Sequence, residues 1–226
     1  LRFQTERHAV WSGAEHEEDD HAMALKIAVL LSGNGTTLQN LIDKSAAGMI
    51  DANIVCVISS RPDAFGLERA RKHEIPAFAT QHRFRDAPDA FNEEIWSIVR
   101  EHKADLVVLA GFMCLLRIPK EYTNKIINIH PSLIPAFCGQ GMYGDKVHKA
   151  VLDFGVKITG VTVHFVDNEY DQGPIILQEA VPVFDADTPE LLSERVQAKE
   201  REMYMRAIQL FAKGRVQVEG RKVRIV

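Results

Sequence analysis

The stretch "KIINIHPSLIP" holds the residues whose types and spacing most directly suggest chemistry. In an extended strand successive side chains alternate faces, so Asn128 and His130 point one way while Ile127 and Ile129 point the other. Pro131 then ends regular pairing. An amide donor beside a titratable imidazole at a strand end suits a reaction that develops negative charge on a carbonyl oxygen. The structural alternative is a strand-end histidine bonded to a backbone carbonyl.

Two other stretches carry candidate groups. "KIAVLLSGNGTTLQNLI" has the order strand, glycine loop, helix start, with Gly33, Gly35, Thr36 and Thr37 at the break. Glycines there let backbone N–H groups approach an anion, and the helix start adds partial positive charge, so a phosphate is the first ligand to consider. The loop lacks the Lys of a nucleoside-triphosphate loop, and Leu38 stands where a dinucleotide fingerprint has its third glycine. The other reading is a tight turn with Thr36 or Thr37 capping the helix. The loop "DNEYDQGP" supplies Asp171 beside Asp167 and Glu169. Such loops are usually solvated turns, and Asp171 gains a role only if folding brings it beside His130, where a carboxylate would orient the ring and raise its pKa. His164, on the preceding apolar run, has the same two readings and is expected to be structural. The histidines share no metal-ligand spacing, and no metal is expected.

These groups need elements to position them. The short apolar runs "KIAVLL", "NIVCVISS", "LVVLAG" and "KIINIH" are what strands buried on both faces require, and they predict a parallel sheet covered by helices. Helices are expected over "AFGLERARKH" and "PDAFNEEIWSIVREH", the second with Phe91, Ile95, Ile98 and Val99 on one side. "KITGVTVHFV" and "PIILQEAVPV" read as consecutive extended segments that make the sheet mixed. A long helix is expected from Thr188 to Lys213, and "RVQVEGRKVRIV" predicts a terminal hairpin across Glu219 and Gly220.

The bulk numbers narrow the class. The chain has 226 residues, 46% hydrophobic and 26% charged, enough for one domain with a sizeable core. A formal net charge of -4 argues against a nucleic-acid surface and toward small-molecule partners. The three cysteines Cys56, Cys114 and Cys138 have no paired spacing, which fits a reducing compartment, the cytoplasm. No apolar run is long enough to suggest a membrane span. Residues 1–22, polar with an acidic run from Glu17 to Asp20, are expected to be a disordered leader before a single domain over residues 23–226.

At these residues the sequence resembles the folate-dependent glycinamide ribonucleotide formyltransferases of purine synthesis. The resemblance rests on "SGNGTTLQNLI", "DAFGLERAR", "VVLAGFM", "NIHPSLIP", "GVTVHFV", "DQGPIILQ" and "RVQAKE", in the family's order. It implies an α/β, Rossmann-like formyltransferase fold, a mostly parallel mixed sheet with helices on both faces. It also implies formyl transfer from 10-formyltetrahydrofolate to the amine of glycinamide ribonucleotide. Asn128, His130 and Asp171 match the family's catalytic trio. Asn128 with protonated His130 would stabilise the oxyanion, and Asp171 would hold His130 charged and help move a proton through water. Gly35, Thr36 and Thr37 match the cradle for the substrate's phosphate. Gln197 and Glu200 match residues holding the glycinamide and ribose portion. Met113, Cys114, Leu115 and Leu116 match the segment lining the folate pocket, which Asn128 also borders.

The sequence departs from the family pattern at several places. Thr37 stands where many members carry Asn, Cys114 where Arg is common, and Pro88 near a folate-contacting Arg, leaving Arg83 or Arg85 as the replacement. The segment "CGQGMYGDKVHKAV" is longer than the compact version. The nearest competing activity is formyltetrahydrofolate hydrolysis, with water as acceptor. Those relatives usually carry a preceding regulatory domain, for which the leader is too short. A transfer-RNA formyltransferase would be expected to carry a further C-terminal domain. A binding module without catalysis would not need the trio to converge. The expected enzyme works as a monomer or homodimer on its two small-molecule substrates.

Overall fold

A computed structural model describes residues 24–226, and the leader expected over residues 1–22 lies outside them. The chain alternates strand and helix: β1 (Leu25–Leu31), α1 (Thr36–Ala46), β2 (Ala52–Ser59), α2 (Phe65–Lys72), β3 (Ala77–Ala79), α3 (Pro88–Glu101), β4 (Leu106–Leu109) and β5 (Ile126–His130). After these come α4 (Asp145–Phe154), β6 (Ile158–Phe165), β7 (Ile175–Pro182), α5 (Pro189–Ala212) and the hairpin β8 (Val216–Glu219) with β9 (Lys222–Ile225). The sheet order is β3-β2-β1-β4-β5-β6-β7, parallel from β3 to β5, with β6 antiparallel to both its neighbours. The mixed sheet, the helix over "PDAFNEEIWSIVREH" and the terminal hairpin stand as expected. The three-residue strand β3 was not foreseen, because "AFA" is too short to show a period.

The apolar strand residues divide by face. Ile27, Val29 and Leu31 of β1 join a core that includes residues of α1, α4 and α5. Ala28 and Leu30 join a second core with Phe91, Ile95, Trp96 and Val99 of α3. β5 follows the same alternation, Ile127 toward the first core and Ile126 toward the second. Asn128 and His130 therefore continue the α3-facing side of β5 at its carboxyl end. Among the described residues no helix is long and apolar enough to cross a membrane.

Two local features set the site's frame. Gly35, the N-cap of α1, has φ of 69°, and a Cβ there would lie 2.6 Å from the Gly66 Cα, so only glycine lets α2 approach this loop so closely. Neither Thr36 nor Thr37 caps α1, correcting that expectation: the helix begins at Thr36, and its N-cap makes no side-chain hydrogen bond. At the other end, Tyr204 of α5 directs its hydroxyl to the carbonyls of Leu109 (2.7 Å) and Ile127 (3.0 Å). That contact pins α5 under β4 and β5, and the residues three, four and seven positions earlier, Arg201, Glu200 and Gln197, share its face.

Candidate active site

A cavity of about 750 Å³ opens beyond the carboxyl ends of β1, β4 and β5. In an open α/β sheet this is where connections diverge and ligands gather. Three strand ends are tied together beneath it: Ser32 Oγ lies 2.6 Å from Ser60 Oγ and accepts from the Met113 N–H at 3.0 Å.

At one end is the start of α1. Thr36 and Thr37 line the cavity, and the first-turn N–H groups there meet no side-chain cap. Such orphan donors with the helix dipole behind them form an anion site. Gly35 is not on the wall itself; its role is the tight backbone turn against Gly66, which Arg69 braces by donating to the Asn34 carbonyl at 2.8 Å. Gln197 and Glu200 line the cavity from α5. Burial pushes the Glu200 carboxyl up to about 7, with Arg201 opposing only weakly.

At the other end Asn128, His130 and Asp171 come together. Antiparallel pairing sets Asn128 opposite His164 and His130 opposite Thr162, so all four share one face of the sheet. Asp171, in the loop between β6 and β7 with φ of 57°, turns its carboxylate to both rings. Its Oδ2 lies 3.5 Å from His130 Nδ1 and its Oδ1 lies 3.6 Å from His164 Nε2. The Gly139 N–H donates to Oδ2 at 2.8 Å, tying the long loop before α4 to the same carboxylate. Burial works against the Asp171 charge, but its polar surroundings, the Gly139 N–H among them, outweigh it and hold the carboxyl below its ordinary range.

His130 is 3% exposed. Its Nε2–H donates to the Phe137 carbonyl at 2.9 Å, which places one proton on Nε2 and leaves Nδ1 facing Asp171. Burial lowers the ring's pKa, and the Asp171 charge and the Phe137 carbonyl only partly restore it. Burial thus works against the protonated His130 that the resemblance implies, and the Asp171 carboxylate works for it. The dry setting disfavours the imidazolium more than a carboxylate at 3.5 Å favours it.

The segment Met113, Cys114, Leu115 and Leu116 lines the cavity as expected. Of the two candidate arginines, Arg85 reaches the cavity wall and Arg83 does not. Burial raises the Cys114 thiol pKa, while Ser60 and the Arg85 charge oppose it. His148 and the residues from Gly139 to Gly144, all within the longer segment noted in the sequence, also line the cavity, as does Tyr170, which was given no role. His164, read as structural, belongs to the centre; the register that sets it opposite Asn128 would have revealed it. All three cysteines are free, and among the described residues no cluster of three His, Cys, Asp or Glu side chains is arranged for a metal.

Comparison with known proteins follows the same lines. Residues 25–208 match the family described as formyl transferase. The trifunctional purine biosynthetic protein adenosine-3 of Bos taurus is 44% identical over 85% of this chain, which spans only 19% of that relative's length. The crystal structure of glycinamide ribonucleotide transformylase 1 from Symbiobacterium toebii superposes with a TM-score of 0.84 at 43% identity, covering 95% of this chain and all of that one (100%). A formyltetrahydrofolate deformylase from Pseudomonas syringae superposes with a TM-score of 0.80 at 29% identity, over 89% of this chain and 65% of that one. The chain, matched over residues 25–208 and folded as a mostly parallel α/β sheet, belongs to the formyl transferase family.

Proposed function

We propose that the protein transfers the formyl group of 10-formyltetrahydrofolate to the amine of glycinamide ribonucleotide, a step of purine biosynthesis. The observation that carries this reading is the meeting of Asn128, His130 and Asp171 at one end of a cavity whose other end is an uncapped helix start. The substrate phosphate sits on the first turn of α1, held by backbone N–H groups after Gly35 and by the Thr36 and Thr37 side chains. Gln197 and Glu200 take the ribose and glycinamide portion. The donor's ring system lies along Met113 to Leu116, and Arg85 meets its acidic tail in place of the arginine that Pro88 replaces.

The amine attacks the formyl carbon, forming a C–N bond while the carbonyl electron pair moves to oxygen. Asn128 donates to that oxyanion. The attacking nitrogen sheds one proton to His130 Nδ1, where Asp171 stabilises the new imidazolium facing the oxyanion. Collapse of the intermediate breaks the bond to the folate nitrogen, which takes that proton with the help of Asp171 and water. One proton thus passes from acceptor nitrogen to leaving nitrogen, and no covalent enzyme intermediate is needed.

Water in the amine's place would make a hydrolase, and the likeness to a deformylase keeps that reading in play. The uncapped α1 start favours an acceptor that carries a phosphate. The test mixes purified protein with 10-formyltetrahydrofolate and follows tetrahydrofolate release with and without glycinamide ribonucleotide. Release that requires the ribonucleotide supports transfer, and equal release without it means hydrolysis.

A further inference from the structure

His164 is 1% exposed and makes three polar approaches, none explained by packing alone. Its Nδ1 lies 2.7 Å from the Phe165 carbonyl, which can only accept, so the proton of this ring belongs on Nδ1. Nε2 is then an acceptor. The nearest donor is the Asn128 carboxamide, with Nδ2 at 3.3 Å, directly across the β5 to β6 ladder. Asp171 Oδ1 stands 3.6 Å from the same nitrogen, beyond hydrogen-bond reach.

A carboxamide has a donor end and an acceptor end of nearly the same shape. Opposite an Nε2 lone pair only the –NH2 end of Asn128 is favourable. Its second N–H then remains for the cavity that Asn128 lines. Turned over, the same side chain would present Oδ1 to a developing oxyanion and repel it. The strand register makes this choice robust, because a one-residue slip would carry His164 to the other face of the sheet.

We propose that His164 is a positioning residue that, by accepting at Nε2, fixes the Asn128 carboxamide in the orientation that donates to the reaction centre. This rests on the formyl-transfer reading, in which Asn128 meets the oxyanion. His164 borders the same cavity, and its part in the reaction runs through the Asn128 carboxamide.

The test pairs kinetics with spectroscopy. His164→Leu removes the acceptor and should lower kcat roughly ten- to a hundredfold with both KM values within about twofold. His164→Gln, whose amide oxygen reaches the place of Nε2, should recover most of that loss. In an Asn128→Ala background, His164→Leu should add less than about twofold, since no carboxamide is left to orient. If the loss persists there and disappears in Asp171→Asn instead, His164 acts through Asp171 and the proposal is wrong. Imidazole nitrogen NMR of the unmutated protein needs no variant to fold: a proton on Nδ1 with a bare, hydrogen-bonded Nε2 is expected, and a proton on Nε2 overturns the proposal. A wild-type enzyme with no transfer activity would refute the functional reading, while the NMR result would still decide the orientation.

Discussion

At the α1 end of the cavity one contiguous stretch, Ser32 to Leu41, supplies the proposed phosphate site largely from backbone: a positive-φ glycine behind it and an uncapped helix start that carries two threonines. The proposed reaction centre is built the opposite way, from side chains on β5, on β6 and in the loop after β6, brought together by strand pairing, the turn at Asp171 and the loop before α4. The difference is one of tolerance. A backbone-built anion site should withstand changes of side-chain chemistry but not an added methyl at its turn, whereas the side-chain centre should keep its fold and lose its chemistry when one atom changes.

Asp171→Asn is the largest expected effect. The amide cannot stabilise the imidazolium, so turnover should fall by roughly 10²–10⁴ with the ribonucleotide KM nearly unchanged. Steady-state kinetics with both substrates checks this, and near-normal turnover would remove Asp171 from the mechanism. Gly35→Ala attacks the other end. The Cβ would lie 2.6 Å from Gly66 Cα on a backbone with φ of 69°, and about 1–3 kcal/mol of stability should be lost, read by denaturant unfolding. A fully stable Gly35→Ala protein would show that the turn is not as constrained as its geometry implies.

Arg85→Ala should raise the folate donor's KM about tenfold with kcat within about twofold, while Arg83→Ala should change neither. Equal effects would erase the distinction between an arginine on the cavity wall and one off it. The effect of Glu200 is confined to a pH window. The unfolded carboxyl titrates near 4.5 and the folded one at about 7, so between these values the folded protein holds a proton that the unfolded chain has lost. Stability therefore falls as pH rises through this window, by at most about 3 kcal/mol. Glu200→Gln, which cannot ionise, should melt higher than wild type near pH 8 and at the same temperature near pH 4, as thermal unfolding would register.

The same contrast explains what the sequence made legible. The strand runs, the helix periods and the glycine loop are local patterns, and the order of elements apart from the short β3 could be read from them. Asn128 and His130 were readable because a strand alternates faces. The partnership of His164 with Asn128 was not, because it depends on which residues of two antiparallel strands stand opposite each other. The balance of forces on His130 is out of reach of the sequence for a related reason. Sequence shows a carboxylate that can approach the ring but not the burial that outweighs it. Arg85 could be separated from Arg83 only when the chain before α3 was seen to turn one of them to the cavity.

The most direct test of the account follows an isotopically labelled formyl group from 10-formyltetrahydrofolate into glycinamide ribonucleotide by mass spectrometry, with wild type and Asp171→Asn side by side. The account predicts labelled formylglycinamide ribonucleotide from the wild type and a greatly slowed appearance from the variant, although the variant still binds the ribonucleotide. Labelled product at equal rates from both, or label recovered only as formate, would contradict it.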